Sequence, residues 1–139
     1  MTTAIRTMMV LALGLCLVAG VAAAECNPAD YEPVSQADLV RHRDEYQGKK
    51  VQVTGVFLFT GSDFCYQIRK TKINTRDYFC FALGTPSLVR LYLRKDHPQA
   101  DELLNLKRGS RVTAYGVFDY LGNDYNYMVV DGFEVKGAP

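Results

Sequence analysis

Apolar and polar residues alternate with the period of a strand from Val51 to Phe59. Val51, Val53, Phe57 and Phe59 are separated by Gln52, Thr54 and Leu58. Gly55 interrupts this alternation, and a glycine inside a strand marks a bulge or a tight bend. The same pattern returns sixty-one positions later. GKKVQVTGVFLFTG begins at Gly48 and GSRVTAYGVFDYLG at Gly109, aligning Val51 with Val112, Gly55 with Gly116, Phe57 with Phe118 and Gly61 with Gly122. Two further strands are predicted over Tyr78–Leu83 and Leu88–Lys95, joined by the turn Gly84-Thr85-Pro86-Ser87. In the second of them Val89, Leu91 and Leu93 share one face, and Arg90, Tyr92 and Arg94 the other. In the first, Phe79, Phe81 and Leu83 oppose Tyr78, Cys80 and Ala82. A fifth strand, YNYMVVDGFEV, follows the turn Leu121-Gly122-Asn123-Asp124.

Two segments carry helix signals. Ser35 is placed as an N-cap, with Val34 and Leu39 at the two positions of a hydrophobic staple. Gly48 closes that helix in the left-handed conformation. The second helix starts near Asp96 or His97, carries Ala100, Leu103, Leu104 and Leu106 on its apolar side, and stops at Gly109. The segment from Gly61 to Asp77 has no clear period, is polar and basic, and reads as a large structured loop in which YQIRKTKI could add a local strand.

The predicted order is helix, strand, long loop, strand, turn, strand, helix, strand, turn, strand. This mainly β order, with a helix between the third and fourth strands and another at the N-terminus, resembles the five-stranded OB-fold, a Greek-key barrel. The pattern Gly48-Lys49-Lys50-Val51 and Gly109-Ser110-Arg111-Val112, each copy following a helix, is similar to exported bacterial OB-fold proteins of the tRNA anticodon-binding-like type. Gene duplication would explain the repeat, but the helix and loop content between the copies does not repeat, which favours a shared structural demand: both copies leave a helix through a glycine, fill a narrow barrel with alternate apolar residues, and bend at a glycine.

With 139 residues the chain has room for one domain. Arg6 is followed by MMVLALGLCLVAGVAAA and Glu25, the layout of a secretory signal peptide with cleavage after Ala24. The expected organisation is therefore a signal peptide over 1–24, an extended segment over 25–34 and one OB-fold domain over 35–139. Of 16 Lys and Arg residues only Arg6 leaves with that peptide, so 15 remain against 15 Asp and Glu. The mature chain is thus near neutral, and only the distribution of charge points to a partner. Cys26, Cys65 and Cys80 remain after cleavage. In an oxidising compartment pairing is the default, and a Cys65–Cys80 disulfide is expected because both lie in the folded region.

No residue pattern points to catalysis, to a cofactor or to a metal. His42 and His97 are isolated, and no G-x-S-x-G, H-E-x-x-H or phosphate-binding glycine loop occurs. OB-folds commonly bind through the outer face of the second and third strands. On this chain that face carries Tyr78, Arg90, Tyr92 and Arg94. The long loop adds Tyr66, Arg69, Lys70, Lys72 and Arg76, and the last hairpin adds Tyr120, Asn123 and Tyr125. Aromatic rings with interleaved cations suit flat or anionic ligands. The expectation is an exported, non-catalytic binding or adaptor protein in the periplasm or outside the cell, not spanning the membrane once the signal is removed. It would recognise an envelope protein, a glycan or a lipid headgroup; nucleic acid fits an exported protein less well. The alternatives are a nuclease-like, phosphoester-cleaving enzyme using Arg69, Arg76 and Asp77, and a structural partner in an envelope complex tethered through Cys26.

Overall fold

The computed structural model describes residues 26–61, 73–84 and 86–137. The segment 1–24 expected to be a signal peptide, and Cys65, Tyr66, Arg69, Lys70, Lys72 and Thr85, lie outside them. Six strands are formed: β1 (Glu32–Pro33), β2 (Lys50–Gly61), β3 (Tyr78–Leu83), β4 (Arg90–Arg94), β5 (Arg111–Leu121) and β6 (Tyr125–Val135). The helices are short: α1 (Gln36–Arg41), α2 (Arg43–Tyr46) and α3 (Ala100–Leu104). The sheet order is β1-β2-β3-β4-β6-β5, and an additional β2–β5 pairing closes β2 to β6 into a five-stranded barrel. β4 and β6 run parallel, and the other barrel pairs are antiparallel. The barrel expected from the strand order is therefore the one that forms.

The interior holds the predicted alternate residues: Val51, Val53 and Phe57 from β2, Phe81 and Leu83 from β3, and Val89, Leu91 and Leu93 from β4 and its lead-in. Leu39 from α1 and Leu103 from α3 join them without exposed surface. Burying each such side chain contributes about 1.5–3 kcal/mol, which is what holds such short helices against the barrel.

The two repeat copies are neighbours, and they pair with each other. Val51 lies opposite Gly116, Val53 opposite Ala114 and Gly55 opposite Val112. Val53 and Ala114 are equivalent in the repeat, so a local two-fold axis passes through that pair. The end bonds obey the same symmetry. Gly48 donates its N–H to the Phe118 carbonyl at 2.8 Å, and Gly109 to the Phe57 carbonyl at 2.9 Å. Phe118 donates to the Lys49 carbonyl and Phe57 to the Ser110 carbonyl. Each copy thus supplies a valine opposite the other's glycine, and a left-handed glycine (φ 74° at Gly48, 95° at Gly109) that hands over its N–H. The repeat is the signature of two strands built to be each other's partner.

Three expectations are corrected. The first helix is not continuous: His42, at φ −117° and ψ 36°, separates α1 from α2. The second helix stops at Leu104, where the Asn105 N–H closes the last turn, so Gly109 belongs to the following turn and not to the helix end. Phe59 does not continue the inward alternation of β2. The pairing with β3 shifts between Phe57 and Phe59, and that bulge turns the ring outward to 52% exposure. The N-cap stands as expected, with the Ser35 hydroxyl accepting the Asp38 N–H at 3.1 Å. The extended N-terminal segment gains a strand, because β1 pairs in parallel with Val51 and Gln52 of β2.

Candidate binding face

On the outside of β3, β4 and β6 a second apolar cluster forms from Cys80, Tyr92, Tyr125 and Tyr127, with Ile73, Tyr78, Leu121 and Val129 packed against it. The register causes it. Cys80 lies opposite Tyr92, and Tyr92 opposite Val129, so the outward residues of three adjacent strands meet in one place. The rings pack at angles that suit aromatic quadrupoles: Tyr92 to Tyr127 at 6.1 Å and 80°, Tyr125 to Tyr127 at 5.8 Å and 43°. Tyr92 and Tyr125 share a hydrogen bond between their hydroxyls. Tyr127 donates to the Asp119 carboxylate at 3.2 Å.

This cluster changes how the predicted face can act. Tyr92 is fully buried and Tyr125 keeps only 6% exposure. Neither presents a ring on which a ligand could stack; both are the floor of the face and not its surface. Side-chain alternation identified the outward direction, but not that Tyr127 would arrive beside them. That residue was legible in principle, since Tyr125 and Tyr127 are two apart on one strand and share a side.

Above the floor stand cations. The Arg90 guanidinium lies 4.8 Å from the Tyr125 ring centre, and that of Arg94 lies 5.8 Å from that of Tyr78. Arg94 also makes a forked pair to Asp96, at 2.8 and 3.0 Å. Hydrogen bonding to Asp96 first, then to Tyr78, raises the Arg94 pKa, and the same bond holds the Asp96 carboxyl below its ordinary range. Burial, then the charge and bond of Asp119, push the Tyr127 hydroxyl up to about 12. Arg76 sits exposed in the 3-10 turn Thr75–Asp77 that leads into β3. Arg90 and Arg94 are each held over a ring, so they meet an anion with less loss of side-chain freedom.

Tyr120 and Asn123 of the last hairpin go elsewhere. Tyr120 packs against the barrel core under the Arg43 guanidinium, 5.1 Å from its ring centre, and donates its hydroxyl to Asp44. Arg43 also donates to the backbone and side-chain oxygens of Asn123 at 2.6 and 3.1 Å. Tyr120 and Asn123 therefore fasten the hairpin to α2, apart from Tyr78, Arg90 and Arg94. The structure brings together Tyr78, Arg90, Tyr92, Arg94 and Tyr125 from the predicted set. Phe79 packs against the barrel core on the other side of β3, with Lys95 over its ring, and does not join them.

No disulfide is formed among the described residues; Cys80 is buried on this outer face. Among the described residues no group of three His, Cys, Asp or Glu could hold a metal ion, and no helix is long and apolar enough to cross a membrane.

No family model and no curated protein matches the sequence. Solved structures do match in shape. A chain of the S. pombe Stn1-Ten1 complex is similar with a TM-score of 0.57 and 12% identity, over 78% of this chain and 80% of that one. OBody AM3L15 bound to hen egg-white lysozyme gives 0.53 and 13%, over 76% and 94%. Asparaginyl-tRNA synthetase from Pyrococcus horikoshii gives 0.50 and 17%, over 68% of this chain; the chain spans only 21% of the synthetase. The architecture these share with the barrel is the OB-fold. The protein is an OB-fold protein with one added N-terminal strand.

Proposed function

We propose that the chain is an exported OB-fold binding or adaptor protein of the cell envelope, without catalytic activity, that takes an acidic protein surface on the outer face of β3 and β4. The observation that carries this reading is the pair of guanidinium groups set over aromatic rings on that face, Arg94 on Tyr78 and Arg90 on Tyr125. Since the tyrosine floor is buried, the face offers charge at fixed positions more than rings for stacking. That favours carboxylate-bearing partners over bases or sugars. The OBody neighbour, which its structure shows bound to hen egg-white lysozyme, is a barrel of this shape with a protein partner. Tyr66, Arg69, Lys70 and Lys72 would extend the basic face, and a Cys65–Cys80 disulfide would tether their loop beside it. The sequence 1–24 would direct export and be removed after Ala24.

The test is photo-crosslinking in the native cells from a probe placed at the exposed Arg76 or at the half-buried Tyr78. A discrete protein adduct from both positions is expected, and it is lost when Arg90→Glu and Arg94→Glu are combined. Glycan or lipid adducts alone, or none, would overturn the adaptor reading. The mass of the recovered chain tests export separately: a mature form starting at Glu25 is expected, and an intact chain from Met1 refutes it.

A further inference from the structure

A second site adjoins that face and shares Arg94 and Val129 with it. The N-terminal segment crosses the outside of β5 and β6 and leaves a cleft of about 720 Å³ over Val117 and Val129, a size within the range of small-molecule sites. Three local features build it. Asp131 is the extra residue of a bulge in β6: Tyr115 pairs with Gly132 but Gly116 with Val130. Such a bulge re-aims its side chain, here toward Tyr31, whose hydroxyl donates to the Asp131 carboxylate at 2.8 Å. Gly132 makes room for the N-terminal segment, because a Cβ there would stand 3.3 Å from the Cys26 sulfur. The Cys26 thiol donates to the Tyr31 hydroxyl at 3.3 Å, and the Tyr31 ring packs edge-on against Tyr115 at 5.5 Å. On the far side His97 donates Nε2–H to the Asp131 carbonyl at 2.7 Å and accepts the Gln99 N–H on Nδ1. The turn after β4 is thereby fixed to the bulge.

The charges of this cleft are of both signs and close together. Lys50 lies over the Tyr31 ring, 5.6 Å from its centre, and Asp131 sits at the hydroxyl end of the same ring. Asp30 adds a second carboxylate to the lining. Among the described residues none of Lys50, Asp30 and Asp131 is in an ion pair. An anion alone would meet the two carboxylates, and a cation alone would meet Lys50 with Arg94 beside it. A molecule bearing one charge of each sign meets neither penalty, and its apolar part can lie on Val117 and Val129. We propose that this cleft binds a zwitterion of dipeptide size, with its ammonium toward Asp131 and Asp30, its carboxylate toward Lys50, and an apolar side chain on the valine floor.

The test is a titration of the whole mature chain with the dipeptide Leu-Phe, followed by NMR amide shifts. N-acetyl-Leu-Phe and Leu-Phe-amide serve as probes lacking one charge each. Saturable shifts centred on Cys26, Val117 and Val129 are expected, with each blocked form at least tenfold weaker. Lys50→Glu and Asp30→Lys, both at exposed positions, should each weaken Leu-Phe at least tenfold while the barrel-core resonances stay in place. Val117→Arg should abolish binding by filling the floor, and the two surface variants decide the matter if it does not fold. The proposal fails if Leu-Phe gives no saturable shift at millimolar concentration, if the shifts centre elsewhere, or if either blocked form binds as well as the free dipeptide.

Discussion

β2 and β5 have nearly the same sequence and pair with each other about a local two-fold axis, yet the second halves of the two strands behave differently. β2 leaves β5 after Val56 and turns to β3, with a bulge after Phe57. β5 keeps β6 beside it along its whole length. Phe59 consequently points outward, while its equivalent Tyr120 stays against the core. Leu58 corresponds to Asp119, which accepts hydrogen bonds from Gln47 and Tyr127. Where the copies face each other, the same residues do the same work. Where their other neighbours differ, the same pattern is put to different use.

The largest expected effect falls where the copies are equivalent. Phe57 and Phe118 are both buried in the barrel, and replacing either with Ala should cost about 3–5 kcal/mol. Urea unfolding of the two variants should give midpoints lowered by similar amounts. Losses that differ by more than about 2 kcal/mol, the width of that range, would show that the local two-fold does not extend to the energetics.

The bend glycines should separate the copies. A Cβ on Gly116 would stand 2.2 Å from the Val129 carbonyl oxygen, a backbone atom held by the sheet. A Cβ on Gly55 would meet the Leu83 Cβ and the Gly84 nitrogen at 3.2 Å, contacts that yield with a few tenths of an ångström of movement. Gly116→Ala should therefore destabilise by about 3 kcal/mol and Gly55→Ala by about 1 kcal/mol. Equal losses in thermal unfolding would mean that β6 gives way as easily as the β3–β4 turn.

At the strand entrances the copies should again match. Gly48→Ala and Gly109→Ala force a side chain into the left-handed region, with a cost of about 1–2 kcal/mol each. Hydrogen exchange should show faster opening of the Gly48–Phe118 bond in the first variant and of the Gly109–Phe57 bond in the second.

The smallest effect is expected in the pH dependence, and Asp119 of the second copy contributes to it. The Tyr127 hydroxyl is raised from 10.0 to about 12 by burial and by Asp119. Because the folded-state value is the higher one, the unfolded chain releases this proton first as pH rises. The stabilisation is full below about pH 10 and is lost as pH climbs toward 12. Tyr127→Phe should flatten that alkaline decline in a series of melting curves. Leu58→Ala, in the first copy, should leave its slope unchanged.

Local pattern carried much of this molecule. Strand alternation placed Val51, Val53, Leu91 and Leu93 inside, and it placed Cys80, Tyr92 and Arg90 on the other side. Ser35 and Gly48 marked where the chain enters and leaves its first helical region, because capping chemistry is written in the few residues that perform it. The alternation of β2 failed at Phe59, where a bulge set by the register with β3 reversed the side. The candidate face was readable as a direction but not as a surface: whether Tyr92 faces water depends on Tyr125 and Tyr127, which reach it from another strand thirty or more positions along. The cleft beside Tyr31 was not readable at all, since Cys26, Lys50 and Asp131 meet only after the barrel closes.

What the sequence by itself determined is the set of elements, their inward faces and the order that makes a barrel, because each depends on neighbours a few residues away. What only the tertiary structure decided is which outward residues meet: that the two repeats are each other's partner, that the tyrosines bury one another, and that opposite charges gather on one ring. Those outcomes depend on register and closure, which are set by the whole sheet at once and by no single segment of it.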